Sequence, residues 1–289
     1  MDQGWYNGSI MPNQPSSLQM DRRPRLEGGT LVLAFTGWMD GGDVSTGTVQ
    51  RLVHLLEAES FAEIDPEPFY IYNFPGSMEI TALFRPYTKI EDGLVGRVEM
   101  PQNTFYAHPP AKLVLFVGKE PNLRWRNFGE CILHLAHAVG LRRILFVGSF
   151  GGTVPHTREP RLFCTCSHKA LRAEMERYGL RRSAYEGPSS FTNYLMTQAG
   201  SAQLEMASLV AEIPGYLQGT NPMSIEAVTR RLAKILQLPL DLASLRTAST
   251  QWELEVSSVV EQDEELAQKV HQLEEQYDTE LLDLNAEEV

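Results

Sequence analysis

Residues 112–117 and 143–148 each carry an apolar run too continuous for a half-exposed strand, and the segment between them repeats its apolar residues at helical spacing over 125–139. Unbroken apolar runs of this length fit strands buried on both faces. Gly118 and Gly148 stand at the strand exits, and Gly140 stops the intervening helix. A strand–helix–strand unit punctuated in this way is the signature of a parallel crossover. It restricts the chain to the α/β class, and 289 residues are ample for one large core.

The rest of the chain fits that frame. A strand is expected at 30–35, then a Gly-rich turn and a helix over 43–57 with Val49, Leu52, Val53 and Leu56 on one face. Asp43 is its expected N-cap. Further strands are read at 69–73, 95–100 and 162–166, helices at 168–178, 191–198 and 224–236, and an apolar stretch at 206–213. Residues 1–28 lack periodicity and read as a loose extension. The expected division is therefore an extension (1–28), an α/β core (29–247) and a C-terminal helical segment (248–289).

Residues 249–284 contain no Gly or Pro and read as one long helix. Val256, Val259, Leu266, Val270, Leu273 and Tyr277 fall at spacings of three and four if Asp263 fills the missing slot. That is a heptad seam of about three repeats. Two readings stand: the seam is an oligomer contact, or it packs on its own domain. Charge is concentrated here as well. From Glu253 to Val289 there are ten Glu, three Asp and one Lys, a net of −12, which equals the net charge of the whole chain. The other 252 residues balance 24 acidic against 24 basic side chains. A neutral body with an acidic tail lacks the clustered Lys and Arg that phosphate contact needs, so neither nucleic acid nor an anionic membrane is an expected partner.

Four polar, Gly-rich segments follow the expected strands. They contain Gly37, Trp38, Asp40 and Asp43; Glu120, Asn122 and Arg124; Ser149, His156 and Arg158; and Ser189 and Ser190. In an open α/β sheet, ligands sit at the C-terminal strand edges, so these residues form the candidate ligand pocket. Helix N-termini at Asp43, Trp125 and Ser190 would point backbone N–H groups there, as an anion or carbonyl oxygen requires. Trp38, at a strand exit, is expected to be half-buried. Specific chemistries are poorly supported. GxGxxG and GxxxxGK[ST] phosphate loops are absent, as is the GxSxG elbow. Ser149, His156 and Asp40 or Asp43 would make a Ser–His–Asp set on paper, but such combinations arise by chance in chains of this length. Asp40 and Asp43 suit turn and capping roles better than metal binding. His134 and His137 fit a packing face. Arg124 and Arg158 could grip a carboxylate or phosphate bidentately, or form structural salt bridges with Glu120 or Asp40. Three cysteines argue against a disulfide framework, and Cys164-x-Cys166 lacks the further ligands of a zinc site. No catalytic residue, metal or cofactor is assigned. No leader and no membrane-length apolar run is read, so a cytoplasmic protein is expected.

Taken in order, GWMDGGD at 37–43, GKEPNLRW at 118–125, GSFGGTVPHTR at 148–158, YEGPSSF at 185–191 and EIPGYLQ at 212–218, with Asn221-Pro222 opening the next helix, resemble the proteasome assembly chaperone 2 family. The resemblance covers about residues 30–240. It implies a three-layer α/β/α fold with a mostly parallel central sheet, similar to nucleoside phosphorylases, with the long C-terminal helix added. It also implies a homo-oligomer, a trimer among its sizes, and a protein client. Some relatives carry a label as ATP-grasp enzymes, which no loop here supports. Archaeal relatives dock on the proteasome through a hydrophobic-Tyr-X tail. This sequence ends Ala286-Glu287-Glu288-Val289, with Tyr277 twelve residues upstream, so docking by such a tail is not expected. The resulting expectation is a non-enzymatic assembly or interaction protein. The alternative is a small-molecule enzyme, hydrolase or phosphorylase-like or a carboxylate ligase, working at the strand-edge loops.

Overall fold

The structure is a computed structural model that describes residues 5–7 and 14–287. In chain order the strands are β1 (Trp5–Asn7), β2 (Leu18–Met20), β3 (Arg22–Pro24), β4 (Gly29–Thr36), β5 (Glu59–Ile64), β6 (Tyr87–Glu91), β7 (Leu94–Glu99), β8 (Thr104–His108), β9 (Leu113–Lys119), β10 (Leu141–Gly152), β11 (Leu162–Cys164), β12 (Arg181–Arg182) and β13 (Glu205–Pro214). The helices are α1 (Val44–Leu55), α2 (Met78–Ala82), α3 (Trp125–Ala138), α4 (Lys169–Arg177), α5 (Phe191–Ala199), α6 (Pro222–Ile235), α7 (Ala243–Val260) and α8 (Glu264–Glu287).

The main sheet has nine strands in the order β12-β11-β13-β10-β4-β9-β8-β5-β2. Its centre, β13-β10-β4-β9, is parallel, and β8, β5 and β2 continue it antiparallel. Register explains why the apolar runs are continuous. Val114, Leu31, Ile144 and Met206 form one row across the four central strands, and Leu115, Val32, Leu145 and Ala207 form the next. The first row packs on one face under α3 and α5; the second packs on the opposite face under α1, α4 and α6. Burying each large aliphatic side chain of such a row contributes roughly 1.5–3 kcal/mol. Helices on both faces of the sheet give the three-layer α/β/α arrangement.

The first face is rich in aromatics. Phe128 of α3 meets Phe69 at 5.0 Å and Phe191 of α5 at 5.3 Å, both edge-on. This accounts for one departure from the sequence reading. Residues 69–73 are apolar enough for a strand but form none, Phe69 ending a turn and the rest running irregularly. There the Phe69 carbonyl accepts the N–H groups of Asn122 and Leu123 while its ring enters the core. The strand actually formed nearby is β5. Residues 14–28 also belong to the fold, since β2 pairs with β5 and Leu18 and Leu26 are fully enclosed.

The C-terminal segment is two helices, not one. The chain breaks at 261–263, and Asp263 Oδ1 accepts the N–H groups of Glu265 and Leu266, each at 3.1 Å. A short carboxylate ahead of an amphipathic stretch does better as an N-cap than as a polar residue on a seam. α7 packs on α6, with Leu245 in the core.

Candidate functional site

The strand-edge loops are tied to one another before they offer anything to a ligand. Ser149 sits at the exit of β10, fully buried, and its hydroxyl donates to Gly41 O at 2.7 Å. Its N–H donates to Met39 O, and a short parallel bridge joins Asp40 to Ser149. Asp43 stands at the N-cap position of α1 as expected, but its side chain makes no capping bond; Asp40 supplies it, accepting Thr46 N–H at 3.0 Å and Thr46 Oγ1 at 2.7 Å. Burial pushes the Asp40 carboxyl up to about 6, against the opposing pull of those Thr46 bonds. Asp43 has a left-handed backbone (φ 52°) and accepts the Thr220 hydroxyl at 2.6 Å. The Asx-type roles of both residues are structural.

The anion position expected at the strand edge is filled from within the chain. Glu120 Oε1 accepts the first N–H of α5, that of Phe191, at 2.7 Å. Gly37 (φ 140°) leaves room for Glu120, whose Cβ lies 3.2 Å from where a Gly37 Cβ would stand. Ser190 caps α5 through Asn193 N–H, and the Ser189 hydroxyl turns to the Ser190 carbonyl. Asn122 Oδ1 accepts Ile71 N–H. Arg124 precedes α3 with φ 54°; its side chain is exposed and unpaired among the described residues.

Beside these ties an open cleft of about 300 Å³ lies over β10, β11 and β13. Trp38 and Ser190, from the sequence-derived set, reach it. Met39, Phe150, Phe163 and Tyr185, absent from that set, make most of its wall. Trp38 is 55% exposed, more open than a strand-exit Trp leads one to expect. A larger groove of about 630 Å³ lies between α1, the ends of β8 and β9, and residues 97–102. No residue of the sequence-derived set lines it.

His156 and Arg158 belong to a different place. His156 Nδ1 lies 2.7 Å from Tyr216 Oη and Nε2 lies 3.1 Å from Ser257 Oγ of α7. Both ring nitrogens are therefore engaged away from Ser149, and no Ser–His pair forms. Burial lowers the His156 pKa, with Glu274 pulling the other way. Arg158 grips Asp278 with two bonds, at 2.9 and 2.8 Å, and lies 3.6 Å from Glu274, which also accepts the Thr157 hydroxyl. Arg161 pairs with Glu212 at 3.1 Å and Glu280 at 2.8 Å, and its guanidinium stands 4.5 Å from the Tyr277 ring centroid. Tyr277 Oη donates to Glu159 O at 2.9 Å. Loop 153–161 is thus the seat of α8. Tyr277 is buried in that seat, Val270 is buried, Leu266 and Leu273 are half-buried, Val256 of α7 is half-buried, and Val259 is exposed. Arg161 and Glu212 were not singled out from sequence. They are 51 residues apart, and only the β11–β13 pairing joins them, through Glu212 N–H to Arg161 O.

Residues 74–100 form an arm of α2 and the β6–β7 hairpin, a two-stranded sheet separate from the main one. Phe74, Met78, Ile80, Leu83, Tyr87, Ile90, Leu94, Val95, Val98 and Met100 are all exposed on it. Among the described residues no group of His, Cys, Asp or Glu is arranged to hold a metal, and no helix is long and apolar enough to cross a membrane.

Comparison with known proteins fits this architecture. No curated protein sequence matches the chain. The crystal structure of the proteasome-assembly chaperone homologue Rv2125 of Mycobacterium tuberculosis is 28% identical, with a TM-score of 0.72, covering 83% of this chain and 99% of its own. A PAC2 family protein from Streptomyces avermitilis is 27% identical, with a TM-score of 0.70, over 84% of this chain and 99% of its own. The protein Rv2714 of M. tuberculosis, described as of unknown function, shares the fold at a TM-score of 0.83 and 24% identity, covering 97% of this chain and 95% of its own. The PAC2 family model matches residues 34–260, from the end of β4 through α7. The chain belongs to the PAC2 family.

Proposed function

We propose that this protein is a non-enzymatic interaction protein of the assembly-chaperone type, that it acts as a homo-oligomer, and that the arm at 74–100 is its contact between copies. The exposed arm carries the reading. Ten large apolar side chains stand in water along the arm, five of them on a hairpin with two free edges, and a lone two-stranded hairpin is marginal in water. Charge favours a second copy as the cover. The segment from Phe74 to Met100 holds four acidic and three basic residues, so it is close to neutral, while the C-terminal segment carries −12. Lys89–Glu91 and Arg97–Glu99 pairs lie along its strands, giving a surface that can oppose itself about a twofold axis. Similarity to a protein described as a proteasome-assembly chaperone homologue supports an interaction role. Chemistry at the strand edges has little support, because Ser149, Asp40 and Glu120 are spent on the fold.

Size-exclusion chromatography with light scattering tests this. The full chain at micromolar concentration should exceed the 32.5 kDa of one copy, and a variant with 77–100 replaced by a short Gly/Ser linker should fall to a monomer. A monomeric full chain, or an unchanged oligomer in the linker variant, overturns the assignment.

A further inference from the structure

The cleft of about 300 Å³ beside the strand-edge loops lies apart from the arm and is built differently. Three separate segments bring exposed aromatic side chains to its mouth. Trp38 follows β4, Phe150 comes from the end of β10, and Tyr185 follows β12; they are 55%, 40% and 64% exposed. Phe146, Phe163 and Val210 supply its floor, and Phe150 packs on Phe163 at 5.7 Å between ring centroids. Among the described residues, no Asp, Glu, Lys, Arg or His lines the cleft.

We infer that this cleft is a binding site for a neutral aromatic side chain presented by a polypeptide. Volume and charge select the class. The cleft lies at the small end of ligand pockets, which run about 300–1,000 Å³, and has room for a single ring system. A phosphorylated or carboxylated metabolite would leave its charge without a counter-ion in an apolar site, which costs several kcal/mol. A free amino acid meets the same penalty, whereas an aromatic residue within a peptide does not. Aromatic walls also suit the partner, since offset and edge-on ring pairs add to simple burial. Polar groups stand ready for the flanking backbone. The side chains of Ser183 and Asn193 border the cleft and make no hydrogen bond among the described residues. Trp and Tyr anchors around a pocket are the composition of interface hot spots.

The test uses the full chain and small neutral probes. N-acetyl-tryptophanamide, N-acetyl-tyrosinamide, N-acetyl-lysinamide and indole are compared by saturation-transfer NMR. The two aromatic amides should bind and the lysinamide should not. Phe150→Ala and Tyr185→Ala should each weaken the aromatic amides by about tenfold. Neither side chain belongs to the buried core, so folding should be retained, which an unchanged melting temperature confirms. Leu282→Ala, on an exposed turn of α8, should leave binding unaltered. Indole should bind several-fold more weakly than the tryptophanamide, because it lacks the amides that Ser183 and Asn193 would meet. No aromatic amide bound, equal binding of the lysinamide, or binding indifferent to both variants overturns the site. Indole equal to the amide overturns the polypeptide assignment. Light scattering on the same samples reads self-association separately, so failure here leaves the arm's role intact, and the reverse.

Discussion

Replacing Arg161 should cost more than replacing any other charged residue at the α8 seat, and the structure says by how much. The Arg161 side chain is 5% exposed and its partner Glu212 8%. In Arg161→Ala the Glu212 carboxylate keeps only Thr153 N–H, at 2.7 Å, and the Thr153 hydroxyl, at 3.2 Å. Removing one partner of a buried ion pair costs about 3–5 kcal/mol, chiefly because the other charge stays in a poor solvent. Loss of the guanidinium over Tyr277 adds about 0.5–2 kcal/mol. The Glu280 contact adds little, because that carboxylate is 40% exposed and solvent screens it. The expected loss is thus about 4 kcal/mol or more in urea unfolding at neutral pH, set against less than about 1 kcal/mol for Glu280→Gln. The double variant Arg161→Met/Glu212→Met should recover most of it, since an apolar pair of similar volume leaves no stranded charge. An Arg161→Ala chain within about 1 kcal/mol of wild type, or a double variant no better than the single, would refute the idea that Glu212 needs this partner.

Three further outcomes are expected. Gly152→Ala should cost at least about 2 kcal/mol in the same assay, because its Cβ would fall 2.5 Å from Glu212 Cγ and onto Oε1, and Arg161 and Thr153 prevent that side chain from moving. Asp263→Ala should cost about 1 kcal/mol and expose 261–263 to limited proteolysis, as loss of an N-cap predicts; unchanged cleavage would argue against the cap. Acidification should act in two opposed ways. Asp40, with its folded pKa pushed up to about 6, binds a proton more tightly in the fold than in the unfolded chain, so its contribution rises as pH falls from about 6 to 4, by up to about 3 kcal/mol, and Asp40→Asn should abolish that slope. His156, with its pKa lowered by burial, works oppositely. The fold loses stability through it as pH falls below about 6.5, and His156→Gln should lessen that loss.

What the sequence made legible follows from which signals are local. The central strands were readable because burial on both faces leaves an unbroken apolar run, and because Gly118, Gly140 and Gly148 mark the ends. β8 and β5 were not read. Each is short and half-exposed, and Glu59–Ile64 holds only three apolar residues. Residues 69–73 are as apolar as a strand, yet the Phe69 carbonyl accepts the N–H groups of Asn122 and Leu123 and no ladder forms there. The seam on α8 was legible as a spacing, and spacing names the apolar face without naming what it meets. Loop 153–161 meets it, an outcome that depends on long-range register. In the cleft, the loops were foreseeable from sheet topology, but the exposure of Phe150 and Tyr185 depends on which neighbours they lack, and that is not a local property.

The location of charge gains a second meaning in the folded molecule. The body is neutral overall, but Arg158, Arg161 and Arg181 are gathered at one site, and α8 brings Glu274, Asp278 and Glu280 to them. The basic loop and the acidic helix therefore complete one another within the chain. The outward faces of α7 and α8 keep exposed Glu255, Glu261, Glu264 and Glu275 unmatched by any basic cluster. Two copies approaching through those faces would repel over the roughly 8–10 Å that physiological salt leaves unscreened. The arm at 74–100 carries almost no net charge and most of the exposed large apolar side chains. Repulsion on one side and apolar surface on the other thus both favour the contact proposed for the arm, and the acidic faces would disfavour any other approach.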